Sequence, residues 1–270
     1  KIQGKVFLVF QPAEESGEGA KYMKQFGTWF EETDSVFGAH IWIDLPVGKI
    51  SVEAGERMAA ALEIGIDIEG QGGHGAQPHL TVDATVVASA IVMNLQTIVS
   101  RHFSPLDSVV LTIGKMTSGT RYNVISGSAR LEGTARYFKH AIGDDLKQTM
   151  THMVNETAAA YGAKAKVTFR QMVPPTINDP ASSELAHRVG AELVGEDNVV
   201  LMEKTMAGED SAYYLEEKPG CFAFFGIANP DIDAVHSHHS NFFKIDERAL
   251  PIGSAMYAQY ALQWLEEHAE

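Results

Sequence analysis

Two adjacent glutamates and several distant histidines have the residue types and positions of a divalent metal site with a neighbouring base. Glu14 and Glu15 follow an apolar, strand-like segment at residues 6–10, a second apolar segment leads into His40, and a third leads into the run HSHH at residues 236–239. Uncompensated charge beside a core is costly, so the paired carboxylates are expected to have a functional partner. Carboxylate and imidazole side chains are the usual ligands of a divalent metal, and a spare carboxylate can serve as the base.

Composition disfavours several classes of partner. The chain has 270 residues, 45% of them hydrophobic, which allows one large domain or two smaller ones with full cores. Its formal net charge of -14 disfavours binding to nucleic acid and to anionic membranes. No continuous apolar run reaches the roughly 18 residues that span a bilayer. The single cysteine, Cys221, rules out an intrachain disulfide framework and predicts a buried thiol in a reducing, cytoplasmic compartment.

Strand and helix patterns alternate along the chain in three blocks, which is typical of an α/β fold. In the first block, residues 5–10 and 36–42 are predicted strands and residues 19–26 a predicted helix. The third block is predicted to contain helices at 183–194, 211–217 and 247–267, with strands at 199–202 and 221–227. We expect these blocks, residues 1–57 and 175–270, to form one catalytic α/β domain.

The middle block, residues 58–174, has a different order of elements. Its predicted strands lie at 61–69, 108–117, 124–138 and 165–172, and its predicted helices at 82–100 and 142–161. The order β-α-β-β-α-β is the signature of a ferredoxin-like domain. The sequence therefore predicts that a smaller domain of this kind interrupts the catalytic domain.

A glycine-rich run at residues 70–75 matches the G-x-G-x-x-G pattern of dinucleotide-binding folds. In those folds the helix begins at the last glycine, whereas here Pro78 and its neighbours delay the helix. The next predicted strand also lacks the acidic residue that binds the ribose. We therefore reject a dehydrogenase, although nicotinamide binding would restore that hypothesis.

Several short motifs, taken in order, resemble the M20 metallopeptidases. They are QPAEE at 11–15, GAH at 38–40, GGH at 72–74, NVI at 123–125, GTAR at 133–136, GED at 208–210 and His239 four residues before Phe243. The similarity is to the amidohydrolase branch, which includes hippurate hydrolases, N-acyl-amino-acid amidohydrolases and auxin-conjugate hydrolases. The resemblance implies a zinc-peptidase-like catalytic domain with an inserted ferredoxin-like lid domain that forms a homodimer.

The resemblance also implies roles for individual residues. Glu15, His40 and His239 would bind divalent metal ions (Zn, Mn, Co or Ni, up to two in a complete site), and Glu14 would be the general base. This division is physically reasonable, because a metal-bound carboxylate stays ionised while its unbound neighbour can accept a proton. The implied substrate is a small N-acyl amino acid or a short peptide, whose amide bond is hydrolysed.

Three further residues would come from the lid. His74 would stabilise the oxyanion, often from the neighbouring subunit, while Asn123 and Arg136 would lie near the substrate carboxylate. Arg136 suits a bidentate carboxylate contact. Each of the three residues also has an ordinary alternative: His74 could occupy an awkward turn among glycines, and the other two could be strand-edge or turn residues.

Other polar residues near the motifs have simpler interpretations. Glu209 and Asp210 are expected to cap the helix predicted at 211–217 rather than to touch a metal. His236 and His238 are expected to lie in a solvated loop and to point away from the metal.

One family motif has no counterpart in the chain. The amidohydrolase branch has further cysteine and histidine ligands in a Cys-Gly-His-Asp segment upstream of QPAEE, and no such segment occurs here. Three of the five family ligands are therefore expected, and unpaired backbone or apolar surface is expected beside residues 6–10. The alternative hypothesis is a truncated, inactive chain whose lid domain still dimerises.

Overall fold

The computed structural model describes residues 3–269, which form a mixed α/β structure. The strands are β1 (Val36–Pro46), β2 (Ile50–Ser51), β3 (Gly55–Met58), β4 (Ala60–Glu69), β5 (Gly73–His74), β6 (Val110–Ser118), β7 (Val124–Ile125), β8 (Ser128–Tyr137), β9 (Lys164–Val173), β10 (Thr176–Asn178) and β11 (Gly220–Ala228). The helices are α1 (Gly19–Met23), α2 (Ala84–Thr97), α3 (His140–Ala160), α4 (Pro180–Val194), α5 (Ala212–Leu215) and α6 (Ala249–Glu267).

The chain divides into two compact units. Unit 1 contains the described residues through Met58, together with Thr176–Thr205 and the residues from Glu209 onward. Unit 2 contains Ala59–Pro175 and the short segment Met206–Gly208. A continuous stretch of chain therefore forms nearly all of unit 2, between two parts of unit 1.

The apolar strand β11 is the centre of unit 1. It lies between β1, with which it pairs in parallel, and β2, with which it pairs antiparallel. Eight of its nine residues are buried, as expected for a strand covered on both faces. Cys221, Ala223 and Phe225 pack with residues of α4 and α6 in one cluster, while Phe222 and Phe224 belong to another. The period of two along the strand thus supplies two separate cores.

Unit 2 contains a four-stranded antiparallel sheet with the order β6-β8-β4-β9. The apolar residues of β4, among them Leu62, Ile64 and Ile66, are buried in one core with residues of α2 and α3. Asp83 caps α2 by accepting a hydrogen bond from the backbone N–H of Thr85 at 2.9 Å. The two helices and four strands occur in the predicted order β-α-β-β-α-β.

Helix α2 and the helical turn that follows it, residues 84–102, are long and apolar enough to cross a membrane. Val87, Ile91 and Leu95 of this helix are nevertheless buried in the core of unit 2. Core helices pass the same test of length and composition, so this feature is weak support for a membrane span.

The glycines at 70–75 allow close backbone approach within unit 2. β5 pairs with β7, and a Cβ atom on Gly72 would lie 3.0 Å from the carbonyl oxygen of Ile125. A Cβ atom on Gly70 would lie 2.3 Å from the carbonyl oxygen of Val82. Helix α2 begins at Ala84, well after the glycines. This packing accounts for the glycine-rich run without a nucleotide.

The prediction of a strand at residues 5–10 is wrong. These residues form no strand and expose their apolar side chains, with Leu8 77% and Phe10 87% accessible. Phe7 contacts Trp29 with tilted rings whose centroids lie 6.5 Å apart. The exposed apolar surface therefore lies along this segment itself, and the expectation of a surface left open beside a strand here stays a prediction.

The third block also departs from its predicted elements. The strand predicted at 199–202 is absent, and Val199 instead forms an isolated bridge with Ile50. The helix predicted at 211–217 is shortened to α5. The strand predicted at 221–227 is confirmed as β11, and the closing helix as α6.

We predict that polar substitution of the exposed segment reduces self-association without unfolding the chain. A Leu8→Ser/Phe10→Ser variant should change the free energy of unfolding by less than about 0.5 kcal/mol, since both side chains lie at the surface. Light scattering should show less association, because a large apolar patch is removed. As a control, Leu62→Ala in the core of unit 2 should cost about 2–5 kcal/mol in urea unfolding. A large stability loss in the double variant would mean that the segment is packed.

Candidate functional site

Glu14 and Glu15 lie in a tight turn of unit 1. Ala13 has left-handed backbone angles with φ of 64°, and residues Glu14–Ser16 form a single 3-10 turn that ends at Gly17, where φ is 68°. The left-handed conformation is uncommon for a residue with a side chain and is often found at functional sites. Glu14 is half-buried and Glu15 is exposed. The turn therefore places two neighbouring carboxylates in different environments.

Glu14 faces two other acids, and we call Glu14, Glu209 and Asp210 the acidic trio. One carboxylate oxygen from each lies within 4.8 Å of the others, and Glu209 and Asp210 are buried. Burial raises the pKa of Glu14, and the nearby charges of Asp210 and Glu15 raise it further. Burial likewise raises the pKa of Glu209 to about 7, although the backbone N–H of Ser211 donates to it at 3.0 Å.

Glu15 pairs with the histidine predicted to be its fellow ligand. Oε1 of Glu15 lies 3.9 Å from Nδ1 of His239, and both side chains are largely exposed, at 80% and 75%. His239 has left-handed backbone angles, with φ of 63°. These two possible ligand atoms come from separate parts of the sequence and are close enough to contact one cation.

His40 lies within β1 rather than at its end, opposite Phe224 of β11. Its Nδ1 donates to the carbonyl oxygen of Ile41 at 2.5 Å, because a carbonyl can only accept. The lone pair of the neutral ring is then on Nε2. A backbone hydrogen bond of this kind orients many metal-binding histidines.

The expectation that His238 is solvated is wrong. His238 is half-buried, and its ring centroid lies 5.3 Å from that of His40 and 4.9 Å from that of Trp42. Burial, and secondarily the neighbouring His40, lower the pKa of His238. Its Nε2 accepts the backbone N–H of Ile43 at 3.3 Å. The aromatic surface around His40 thus extends into the loop that carries His239.

The side chains of Glu15, His40 and His239 are of the types that bind a divalent cation. In the described structure only two of the three lie close together. Carboxylate and imidazole groups suit zinc and similar metals. Among residues 3–269, the acidic trio is the group of three possible ligands with all donor atoms within 4.8 Å. Glu15 and His239 therefore form a pair, without His40 in the same group. Each oxygen of Asp210 accepts a hydrogen bond from the segment around Glu14.

His74 and Asn123 lie next to each other in unit 2. His74 pairs with Val124 across β5 and β7, and the backbone N–H of Gly75 donates to the carbonyl oxygen of Asn123 at 3.0 Å. Nδ1 of His74 accepts the N–H of Ala76 at 3.1 Å, so the proton of the neutral ring is on Nε2. His74 is exposed and can present this N–H as a donor.

Arg136 lies in β8, within the main sheet of unit 2. One of its terminal nitrogens donates to the side chain of Thr134 at 2.7 Å and to the carbonyl oxygen of Ala135 at 3.2 Å. Burial lowers the pKa of Arg136. These contacts orient one end of the guanidinium along the strand.

Sequence reasoning missed the contact of Glu209 and Asp210 with Glu14. Glu209 accepts the N–H of Ser211, the residue before α5, and Asp210 binds the segment around Glu14. Two adjacent acids after a glycine were a signal, but the sequence contained no information on which segment they face.

The sequence of this chain is similar to those of known peptidases and amide-bond hydrolases. The model of peptidase family M20/M25/M40 matches residues 1–263. IAA-amino acid hydrolase ILR1-like 4 of Arabidopsis thaliana is 35% identical over 271 residues, which are 99% of this chain and 61% of that protein. N-acetyl-L-cysteine deacetylase of Bacillus subtilis is 37% identical over 273 residues, which are 100% of this chain and 63% of that protein.

The fold of this chain is also similar to that of a solved structure from the same family. The crystal structure of a Bacillus subtilis protein, described as a dinuclear metal binding peptidase from the M20 family, matches with a TM-score of 0.80 and 31% identity. The match covers 95% of this chain and 64% of that chain. This chain therefore spans less than two thirds of the length of these three proteins.

We predict that Glu209 makes stability depend on pH. The folded chain retains a proton on Glu209 up to about pH 7, whereas an unfolded glutamate releases it near 4.5. The free energy of unfolding should therefore fall as pH rises between these values, by on the order of 3 kcal/mol. Urea unfolding of a Glu209→Gln variant should show a smaller fall. The control Glu266→Gln, at an exposed position of α6, should keep the slope of the unsubstituted chain, and equal slopes in all three proteins would contradict the prediction.

Proposed function

The chain belongs to peptidase family M20/M25/M40, and on that basis we propose that it performs metal-dependent hydrolysis of the amide bond of N-acyl amino acids or short peptides. The two relatives described above are named as an IAA-amino acid hydrolase and an N-acetyl-L-cysteine deacetylase. Both names describe an enzyme that acts on a compound containing an amino acid, and the second places an acetyl group on the amino-acid nitrogen. This chemistry supports the substrate class.

One observation carries the proposal beyond family membership. The turn at Glu14 and Glu15 directs one carboxylate towards a buried acidic environment and the other towards His239. Two carboxylates with different surroundings can take different roles in one reaction. Glu14 suits a general base, and Glu15 suits a ligand.

Glu15 and His239, with Nε2 of His40 as a further donor, are the residues that would hold a divalent cation such as Zn, Mn, Co or Ni. When bound, such a cation polarises a carbonyl group and lowers the pKa of water. Glu14 accepts a proton from the attacking water as the new C–O bond forms. The same carboxyl group then gives the proton to the amine nitrogen as the C–N bond breaks.

Unit 2 is proposed to be the ferredoxin-like lid, with domain limits near residues 58 and 174. Support comes from its antiparallel strand order, which follows the β-α-β-β-α-β arrangement. Within this lid, His74 would donate its Nε2 proton to the developing oxyanion. Asn123 and Arg136 would bind the carboxylate of the substrate.

We propose that the lid forms a homodimer. Strand β6 lies at one edge of the sheet of unit 2 and exposes Val110 and Met116. An exposed edge with apolar side chains readily pairs with another chain. We also propose a cytoplasmic location. Its support is Cys221, a buried free thiol, which suits a reducing compartment.

A second candidate is a chain that hydrolyses nothing but still dimerises through unit 2. It is favoured by the incomplete gathering of Glu15, His40 and His239 among residues 3–269. Metal content of the purified chain separates the two candidates, because the inactive form should retain no bound cation after dialysis.

We predict that Glu14 and Glu15 differ in what their loss removes. Glu14→Gln should leave Zn binding nearly intact while lowering turnover of N-acetyl amino acids by about 10²–10⁴-fold, the range for a lost general base. Glu15→Gln should lose the metal as well as the activity. Calorimetric titration with Zn and a hydrolysis assay measure the two effects. Metal loss in Glu14→Gln with binding retained in Glu15→Gln would reverse the two roles.

We also predict that the dimer depends on the edge of unit 2. A Val110→Lys/Met116→Lys variant should be monomeric by light scattering, because like charges would face each other across the paired edges. Val86→Lys/Met93→Lys on α2 is the comparison, since both side chains are exposed on the helix. Dimers in both variants would contradict a dimer contact through the β6 edge and through α2.

The proposed role of His74 has its own test. Full activity in a His74→Ala variant would exclude the oxyanion role.

A further inference from the structure

The turn that carries Glu14 and Glu15 has few contacts of its own. Residues 6–10 before it are exposed and form no strand, and the 3-10 turn itself contains only a short set of internal backbone hydrogen bonds. We call residues 11–20 the glutamate loop. Since two reacting carboxylates need fixed positions, some other part of unit 1 must hold this loop.

Asp210 contacts the glutamate loop on both sides of the turn. Before the turn, Nε2 of Gln11 donates to Oδ1 of Asp210 at 2.5 Å. After the turn, the backbone N–H of Ala20 donates to Oδ2 at 3.0 Å. This N–H belongs to the first turn of α1 and has no acceptor within the helix. The carboxylate is fully buried, and its hydrogen bond from Ala20 is buried while that from Gln11 is part-buried.

Two further features keep the arms of the loop in place. The hydroxyl of Tyr214 donates to Oε1 of Gln11 at 2.8 Å, so the amide of Gln11 is held at both ends. Gly19 allows the arms to approach, because a Cβ atom there would lie 1.9 Å from the carbonyl oxygen of Pro12 and 3.1 Å from Oδ2 of Asp210. No other residue type fits at this position without moving the loop.

We propose that Asp210 is a positioning residue whose buried carboxylate closes the glutamate loop and thereby fixes the positions of Glu14 and Glu15. It acts through Gln11 and Ala20 and is neither a ligand nor a base. Its consequence for metal binding rests on the proposed function, whereas the closure of the loop does not.

Two substitutions separate closure from charge. Asp210→Ala removes both acceptors and should open the loop. Asp210→Asn removes the negative charge but still accepts the N–H of Ala20, and its amide can bond to Gln11 after the Gln11 amide turns over. Closure therefore predicts a much larger effect for alanine than for asparagine. A role based on charge alone predicts equal effects.

The first measurement is hydrogen exchange in the metal-free chain. Asp210→Ala should speed exchange in the peptide that covers residues 11–20 by at least about tenfold, as expected when a protecting hydrogen bond opens locally. Exchange in β11 should stay unchanged and serves as the internal control for global stability. Unchanged exchange in the glutamate loop would overturn the proposal.

The second measurement is calorimetric titration with Zn. Asp210→Ala should weaken Zn binding by about 10–100-fold, the range found when a residue that orients metal ligands is lost. Gln11→Leu should weaken it less, because the contact of Asp210 with Ala20 remains, and the double variant should be no worse than Asp210→Ala, in which the contact with Gln11 is already lost. Gln11→Leu also keeps the test valid if Asp210→Ala fails to fold. Equal losses in Asp210→Asn and Asp210→Ala would overturn the proposal.

Failure of the proposed function is distinguishable from failure of this inference. If the unsubstituted chain binds no Zn while Asp210→Ala still speeds exchange in the loop, the metal role fails and loop closure stands. If Zn binds to the unsubstituted chain and to Asp210→Ala with equal affinity, the positioning role fails and the proposed function stands.

Discussion

The arrangement of the candidate site depends on three neighbouring carboxyl groups, two of them buried and that of Glu14 half-buried, each with an oxygen within 4.8 Å of the others. Three like charges in a poorly solvated place would repel strongly, so the protein must compensate them. Asp210 is compensated by two donors from the glutamate loop, and Glu209 by the N–H of Ser211 and by a pKa raised to about 7. The hydrogen bonds to Asp210 link the glutamate loop and the start of α1 to the residues just before α5. Glu14 is thereby held in a half-buried place beside Asp210, and its pKa is raised by burial first and by Asp210 second.

The sheet of unit 1 explains how distant segments meet there. β11 is buried on both faces and pairs with β1, which carries His40. The chain leaves β11 through a loop that contains His238 and His239, and Asp246 closes this loop by accepting a hydrogen bond from the side chain of Asn229 at 2.6 Å. Arg248 and Asn229 hold the pKa of Asp246 far below its usual range. One rigid strand and two buried aspartates thus anchor the segments that bear the proposed functional groups.

Backbone hydrogen bonds also select the tautomers of two proposed functional histidines. A carbonyl acceptor at His40 leaves a lone pair on Nε2, whereas an amide donor at His74 leaves a proton on Nε2. The first arrangement suits binding to a cation, and the second suits donation to an anion. The same side chain type is therefore prepared for opposite tasks by its local backbone.

Periodicity along the chain was sufficient to predict β11, β1 and the order of elements in unit 2, because apolar residues at a fixed spacing must be buried together. The motifs predicted that Glu15, His40 and His239 converge; Glu15 and His239 lie 3.9 Å apart, whereas His40 does not join them in one group of possible ligands. The same apolar composition misled at residues 6–10, since a strand needs a neighbouring strand, and residue type does not show whether one is present. The contacts of Asp210 with Gln11 and Ala20 join positions about two hundred residues apart. Local patterns cannot encode such contacts, so only packing in three dimensions could place Asp210 beneath the glutamate loop and His238 beside His40.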